Sequence, residues 1–302
     1  MSGRWLAWRV AYGALLVGVV ITLVFGLTET ATHPPTETDA DGIERPLACL
    51  ADARAPAPQR YLTALATAGM AGPSWRKPDC PPVARAFAEA LPSTAALSGA
   101  AILIAWPLAL MVGAAQATRA GGRVDAALTS AAVALHAAPA LLLALGMQLA
   151  APAVGLRSVP ARGDGLVSLT LPVATLVILL ATGWVRTVRV AFIEALAQPH
   201  VQAARLRGLP ERRVLWRHVL PHALRPVIAL AGLSVPRMLA GSVIIEAIFA
   251  RPGMGMLLVQ AARSGDAPTL VAGSAVAAVA VVLGDLLATL ANAALDPRAA
   301  TP

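Results

Sequence analysis

Eight arginines crowd one polar connection: Arg186, Arg189, Arg205, Arg207, Arg212, Arg213, Arg217 and Arg225, opposed there only by Glu194 and Glu211. Guanidinium groups bind carboxylates and phosphates through a planar fork, so this segment can pair with acidic groups or lipid headgroups. Other candidate chemistry comes from ionisable groups inside apolar runs, which are costly there and mark functional positions. Arg237 and Asp285 are such groups, either an ion pair between packed helices or groups facing a path through the membrane. His136, beside Pro139, reads as a hydrogen-bonded packing residue or a third polar group on that path. Cys49 and Cys80 lack histidine neighbours at ligand spacing, and no nucleophile–base constellation stands out. A phosphate-binding loop needs G-x-x-x-x-G-K-[ST], yet the only lysine, Lys77, sits in Arg-Lys-Pro-Asp. By that motif the chain holds no ATP site, and nothing in it reads as an enzyme.

The elements that must position these groups are apolar. The mean hydropathy is +0.69, with 57% hydrophobic and 13% charged residues, against about 25% charged in soluble domains. A bilayer core needs roughly 20 apolar helical residues. Charge-free runs at Val10–Thr28, Ala90–Thr118, Ala126–Leu156 and Gly165–Val185 meet or approach this. Pro226–Ile245 and Ala267–Leu295 do so with a single charge each. The expectation is an all-α polytopic membrane protein of six transmembrane helices, the last five near 93–115, 127–150, 166–188, 226–248 and 269–292. The net charge of +8 could suggest nucleic acid. Its placement argues instead for topology, with Arg4, Arg9, Arg119, Arg123, Arg298 and the arginine-rich loop on one side of alternating helices. The positive-inside rule puts both termini and that loop in the cytoplasm. The first apolar stretch is longer than a signal peptide's and lacks a small-x-small site, so it reads as a retained helix.

The chain divides into a first helix over 1–28, a segment over 29–89, a membrane domain over 90–295 and a tail over 296–302. The 29–89 segment is rich in proline and charge, holds both cysteines and falls outside the cytoplasm. Gln59–Met70 reads as a short helix along the membrane surface, and Val83–Ala90 as another leading into the second span. An oxidising compartment permits a Cys49–Cys80 bridge.

The basic loop, 193–225, has more pattern than topology requires. Pro199 suits the first position of a helix and Gly208 a left-handed stop, so a two-turn helix is expected over His200–Arg207. Pro210 and Glu211 read as a second start, with a helix running to about Val219 and breaking at Pro221. Ala203 and Ala204 are small enough to let a partner approach the backbone closely.

Gln202-Ala203-Ala204, Gly208 and Leu220-Pro221 together resemble the "EAA…G…LP" loop of ABC importer permeases. From about Gln59 to Arg298 the chain is similar to the dipeptide/oligopeptide/nickel branch of binding-protein-dependent permeases, and its basic N-terminus resembles the B-type subunit. The resemblance is carried by Leu91-Pro-Ser-Thr94, Glu194-Ala-Leu, Ala204-Arg-Leu-Arg-Gly-Leu-Pro-Glu-Arg-Arg213 and Arg217-His218. It continues through Glu246-Ala-Ile-Phe249, Pro252-Gly-Met-Gly255 and Asp296-Pro-Arg298. It departs where Gln202 replaces the glutamate that names the loop. The resemblance implies a type I importer permease fold in a bacterial inner membrane. ATPase coupling would fall to Glu194, Gln202, Ala203, Ala204, Arg205, Gly208, Glu211, Leu220 and Pro221. It further implies a second, C-type permease subunit, one or two ABC ATPases carrying ATP and Mg, and an extracytoplasmic solute-binding protein. This chain itself would carry no cofactor. The cargo would be di- or oligopeptides, with nickel or another small solute as the alternative. A stand-alone secondary transporter would show inverted repeats and midplane ion sites, and a scaffold would bind no ATPase.

Overall fold

The computed structural model describes residues 3–31, 36–38, 44–46, 55–75, 80–154, 166–233 and 235–295. Among these, four helices are long and apolar enough to cross a membrane: Ala7–Ala31, Val83–Ala117, Ser168–Leu196 and Ala267–Ala291. The chain forms two compact units, Met1–Ala95 with Ala250–Leu283, and Ala96–Phe249 with Gly284–Pro302.

The first unit contains α1 (Gly3–Ala31), α2 (Ala57–Thr67), the start of α3 (Val83–Ala117), α11 (Met254–Ser264) and most of α12 (Ala267–Leu295). A small antiparallel hairpin, β1 (Thr36–Thr38) and β2 (Glu44–Pro46), is its departure from an all-α fold. The short helix expected at Gln59–Met70 is α2, and it packs against α1. Arg60 pairs with Glu29, the Tyr61 hydroxyl lies 2.8 Å from Thr22 Oγ1, and Ala64 joins Ile21, Val271 and Ala275. Beyond α2 the chain turns at Gly69 with φ +75, and a Cβ there would lie 2.8 Å from the Ala272 backbone nitrogen. Glycine is therefore required twice, by conformation and by space. The helix expected at Val83–Ala90 is the first part of α3 and has no break before the span. Asp266 is fully buried and caps α12, accepting from the Thr269 N–H at 3.2 Å, from Thr269 Oγ1 and from the Ser74 hydroxyl. Two motifs distant in sequence meet here. The Met254 N–H, at the start of α11, donates to Thr94 Oγ1 at 2.8 Å, and Arg251 reaches Ser93 Oγ at 3.3 Å. Cys80 is buried beside Trp75 and is disulfide-bonded, whereas Cys49 lies outside the described residues.

The second unit is organised around α6 (Leu166–Leu196), against which α4 (Arg123–Ala137), α5 (Ala140–Ala150), α9 (Leu220–Leu233) and α10 (Val235–Ile248) all pack. Of its apolar stretch 67% is buried, against 11% for α1. Leu97, Ala101, Ala105 and Ala109 recur every four residues on α3 and meet Leu176, Leu180, Trp184 and Ile245 in one core. Small residues bring these helices close. A Cβ on Gly113 would lie 2.6 Å from Val188 Cγ1 and 2.9 Å from the Val185 carbonyl oxygen.

Two expected spans are not single helices. The span over 127–150 is α4 and α5, bent by 103°. Ala138 takes an extended backbone (φ −66, ψ 129) because the residue before a proline is driven out of the helical region, and Pro139 has no N–H to continue the ladder. The span over 226–248 is α9 and α10, and Ser234 between them lies outside the described residues. Val235 and Pro236 open α10, where a proline costs no helical hydrogen bond. The long helices plus the bent pair give at most five spans among the described residues, against the six expected.

Candidate functional site: the basic loop between α6 and α9

The loop folds as a compact helical hairpin on the base of α6. Its first helix, α7 (Pro199–Leu206), begins on proline after an extended Gln198. Gly208 closes it with φ +73, its N–H bonded to the Arg205 carbonyl at 2.9 Å while the Leu209 N–H reaches the Ala204 carbonyl at 3.4 Å. These bonds satisfy carbonyls that the helix end would leave unpaired. No atom lies within 4 Å of where a Gly208 Cβ would stand, so the glycine answers backbone conformation alone. The next helix, α8 (Glu211–Val214), starts after Pro210. Arg205 Nε meets Glu211 Oε1 at 2.9 Å and Arg205 Nη2 meets Oε2 at 3.2 Å, a forked pair that ties α7 to α8 across the glycine turn.

The break expected at Pro221 does not occur. A π-helical turn, Leu215–Val219, leads directly into α9. A proline ring clashes with the carbonyl four residues back, here Arg217, and a wider π turn at that carbonyl relieves the clash. The His200 and His222 rings stand 4.5 Å apart, joining α7 to the start of α9, and His200 Nε2 lies 3.4 Å from the His218 carbonyl oxygen.

Burial sorts the loop residues into two sets. Val201, Ala204, Val214 and Val219 pack with Val188, Phe192, Ala195 and Ala223 in one core. Ala204 thus supports the loop from within, at 3% exposure, and offers no surface to a partner as the sequence had suggested. Gln202, Ala203, Arg205, Gly208, Glu211 and Pro221 are exposed, Leu220 is half-buried and Glu194 is exposed at the end of α6. Sequence reasoning missed two residues here. Leu206 is 90% exposed and Trp216 is 67% exposed, large apolar groups amid Arg207, Arg212, Arg213 and Arg217. Large apolar side chains left exposed beside charged ones are the kind of group that partner surfaces cover. Their signal was available: neither fits the spacing of the buried valines.

The base of α6 is fixed by a second device. Asp125, in the first turn of α4 and 3% exposed, accepts from Arg189 Nε at 2.7 Å and Nη2 at 2.6 Å, and from the Gly121 N–H at 2.9 Å. Gln116 Nε2 reaches Thr129 Oγ1 at 3.4 Å nearby. The Asp125–Arg189 partners are 64 residues apart, so no sequence motif announces them.

The remaining candidates fall elsewhere. His136 is exposed on α4, its Cε1 3.2 Å from where a Gly183 Cβ would lie. Asp285 is exposed on α12, and the Arg237 side chain lies outside the described residues, so the Arg237–Asp285 expectation has no geometry here. Among the described residues no group of three or more metal-ligating side chains forms.

Residues 105–301 match the family described as "binding-protein-dependent transport system inner membrane component". The chain is 39% identical over 135 residues to the oligopeptide transport system permease protein AppB of Bacillus subtilis, covering 45% of this chain and 43% of that one. It is 32% identical over 228 residues to the dipeptide transport system permease protein DppB of the same organism, covering 75% and 73%. With the Escherichia coli K12 DppB it shares 33% identity over 135 residues, 45% and 40% of the two chains. The family match covers most of the chain and takes in the helical hairpin at the base of α6, and a relative 32% identical is covered over 73% of its length: the chain belongs to the binding-protein-dependent transport system inner membrane components.

Proposed function

We propose that this chain is the B-type permease subunit of an ABC importer for di- and oligopeptides and forms half of the path through a bacterial inner membrane. It pairs with a C-type permease subunit, receives cargo from an extracytoplasmic solute-binding protein and is driven by one or two ATPase subunits, which hold the ATP and Mg. Both termini and the basic loop lie in the cytoplasm. The peptide cargo is supported by relatives named as dipeptide and oligopeptide permeases. Nickel is the alternative cargo for the same fold, and the binding protein decides between them.

The observation that carries the reading is the loop's build. A rigid α7–glycine–α8 hairpin, cored on the base of α6, holds Ala203, Leu206 and Trp216 outward within an arginine rim. Leu206 enters a groove on the ATPase, and the arginines pair with acidic groups around it. Because Val201, Ala204, Val214 and Val219 share a core with α6, ATPase movement reaches the central helix through packed side chains rather than through a slack tether. Co-expression with the ATPase and affinity capture on this chain tests the idea. Leu206→Asp leaves the permease at normal level in the membrane and loses the ATPase. Retention of the ATPase by Leu206→Asp contradicts it.

A further inference from the structure

A cavity of about 300 Å³ opens in the first unit between the end of α1, α2 and the start of α12. Phe25, Thr63, Trp75 and Val271 are among its walls, and Glu29 and Arg60 supply its charge. It lies at the small end of ligand-site volumes, about 300–1,000 Å³. The two charges are opposite, adjacent and only partly covered, with side chains 35% and 25% exposed. Arg60 is also anchored by its Nε to the Ala55 carbonyl at 3.1 Å, so its fork is held in place. Glu29 follows directly on the apolar run that ends at Thr28, which sets the cavity where hydrocarbon gives way to headgroups. Gln59, Arg60, Thr63 and Ala64 share the α2 face that lines the cavity, and Phe25 and Val271 add apolar wall beside the two charges.

We infer that this cavity binds the headgroup of a zwitterionic phospholipid, with the ammonium on Glu29 and the phosphate on Arg60. Glu29 and Arg60 pair with each other and so present a fixed dipole; a zwitterionic headgroup complements both of its ends, whereas an anionic headgroup sets its phosphate beside the Glu29 carboxylate with no cation to offset it. A phosphate suits the guanidinium fork. A short peptide is also a zwitterion, but it lacks the attached acyl chains that a phospholipid brings to a site at the headgroup level. The inference rests on the proposed topology only for which leaflet supplies the lipid.

Native mass spectrometry of the full-length chain in detergent, titrated with dioleoyl phosphatidylethanolamine, dioleoyl phosphatidylglycerol or Ala-Ala, tests it. Phosphatidylethanolamine is expected to bind at one site, with phosphatidylglycerol about tenfold weaker. Glu29→Gln and Arg60→Gln should each weaken phosphatidylethanolamine binding about tenfold. Thr63→Phe, which fills the cavity and leaves the ion pair intact, should abolish binding while the protein's thermal melting stays unchanged. Equal binding of the two lipids, displacement of the lipid by Ala-Ala, or unchanged binding by the variants overturns the site. A reporter inserted after Pro58 reads the side of the membrane separately. A cytoplasmic signal there defeats the topology of the proposed function, while binding in detergent still decides the cavity.

Discussion

Gly208 holds a backbone that a side chain resists, and Leu206 holds a side chain that the fold leaves in water; the two make different predictions. At φ +73 a Cβ costs roughly 1–2 kcal/mol, with no clash to add. Gly208→Val should therefore lower loop stability by that amount, visible as faster proteolysis between α7 and α8, with Gly208→Asn milder. Ala204→Asp should fail more broadly than Leu206→Asp, because it puts a charge into a core of valines. Lower membrane levels of Ala204→Asp, measured by immunoblot beside normal levels of Leu206→Asp, distinguish a supporting residue from a docking one. Arg205→Ala should cost only about 0–1 kcal/mol, since its pair with Glu211 is exposed. Pro199 and Gly208 make the α7 turn legible in the sequence, because each has one preferred helical station. Ala204 was not legible in this way: an alanine fits a docking face and a core equally well, and only packing separates them.

At the scale of elements, α6 is the member against which α4, α5, α9 and α10 all pack, and its two fixings are of different kinds. Gly113 lets α3 approach the Val185–Val188 turn, so Gly113→Leu forces the helices apart and should cost about 1–3 kcal/mol. A fall in melting temperature of the purified protein measures it. Asp125 and Arg189 lock α4 to α6 by a forked bond. Asp125→Asn should lower melting temperature, and Asp125→Asn with Arg189→Gln should lower it by less than the two single effects together, because the second change removes an orphaned charge. Additive losses would show that the residues act separately. Apolar run length made the helices legible but not their continuity. Pro139 bends one expected span and Pro236 opens a new helix in another, and apolar run length registers neither. The packing of α2 on α1 includes Tyr61 meeting Thr22, a contact across 39 residues that no local pattern encodes.

For the whole molecule, composition and arginine placement carry the class, and the proposed mechanism rests on the loop hairpin. A reporter after Arg213 should read as cytoplasmic, and the opposite result would remove the loop from reach of any ATPase. The measurement that tests the central claim most directly is uptake of a labelled dipeptide by proteoliposomes holding this chain, its partner permease and the ATPase, with the solute-binding protein outside. The account predicts uptake that requires ATP and all the partners, and that is lost with Leu206→Asp while the complex's lipid insertion is unchanged. Uptake by this chain alone, driven by an ion gradient without ATP, would contradict it.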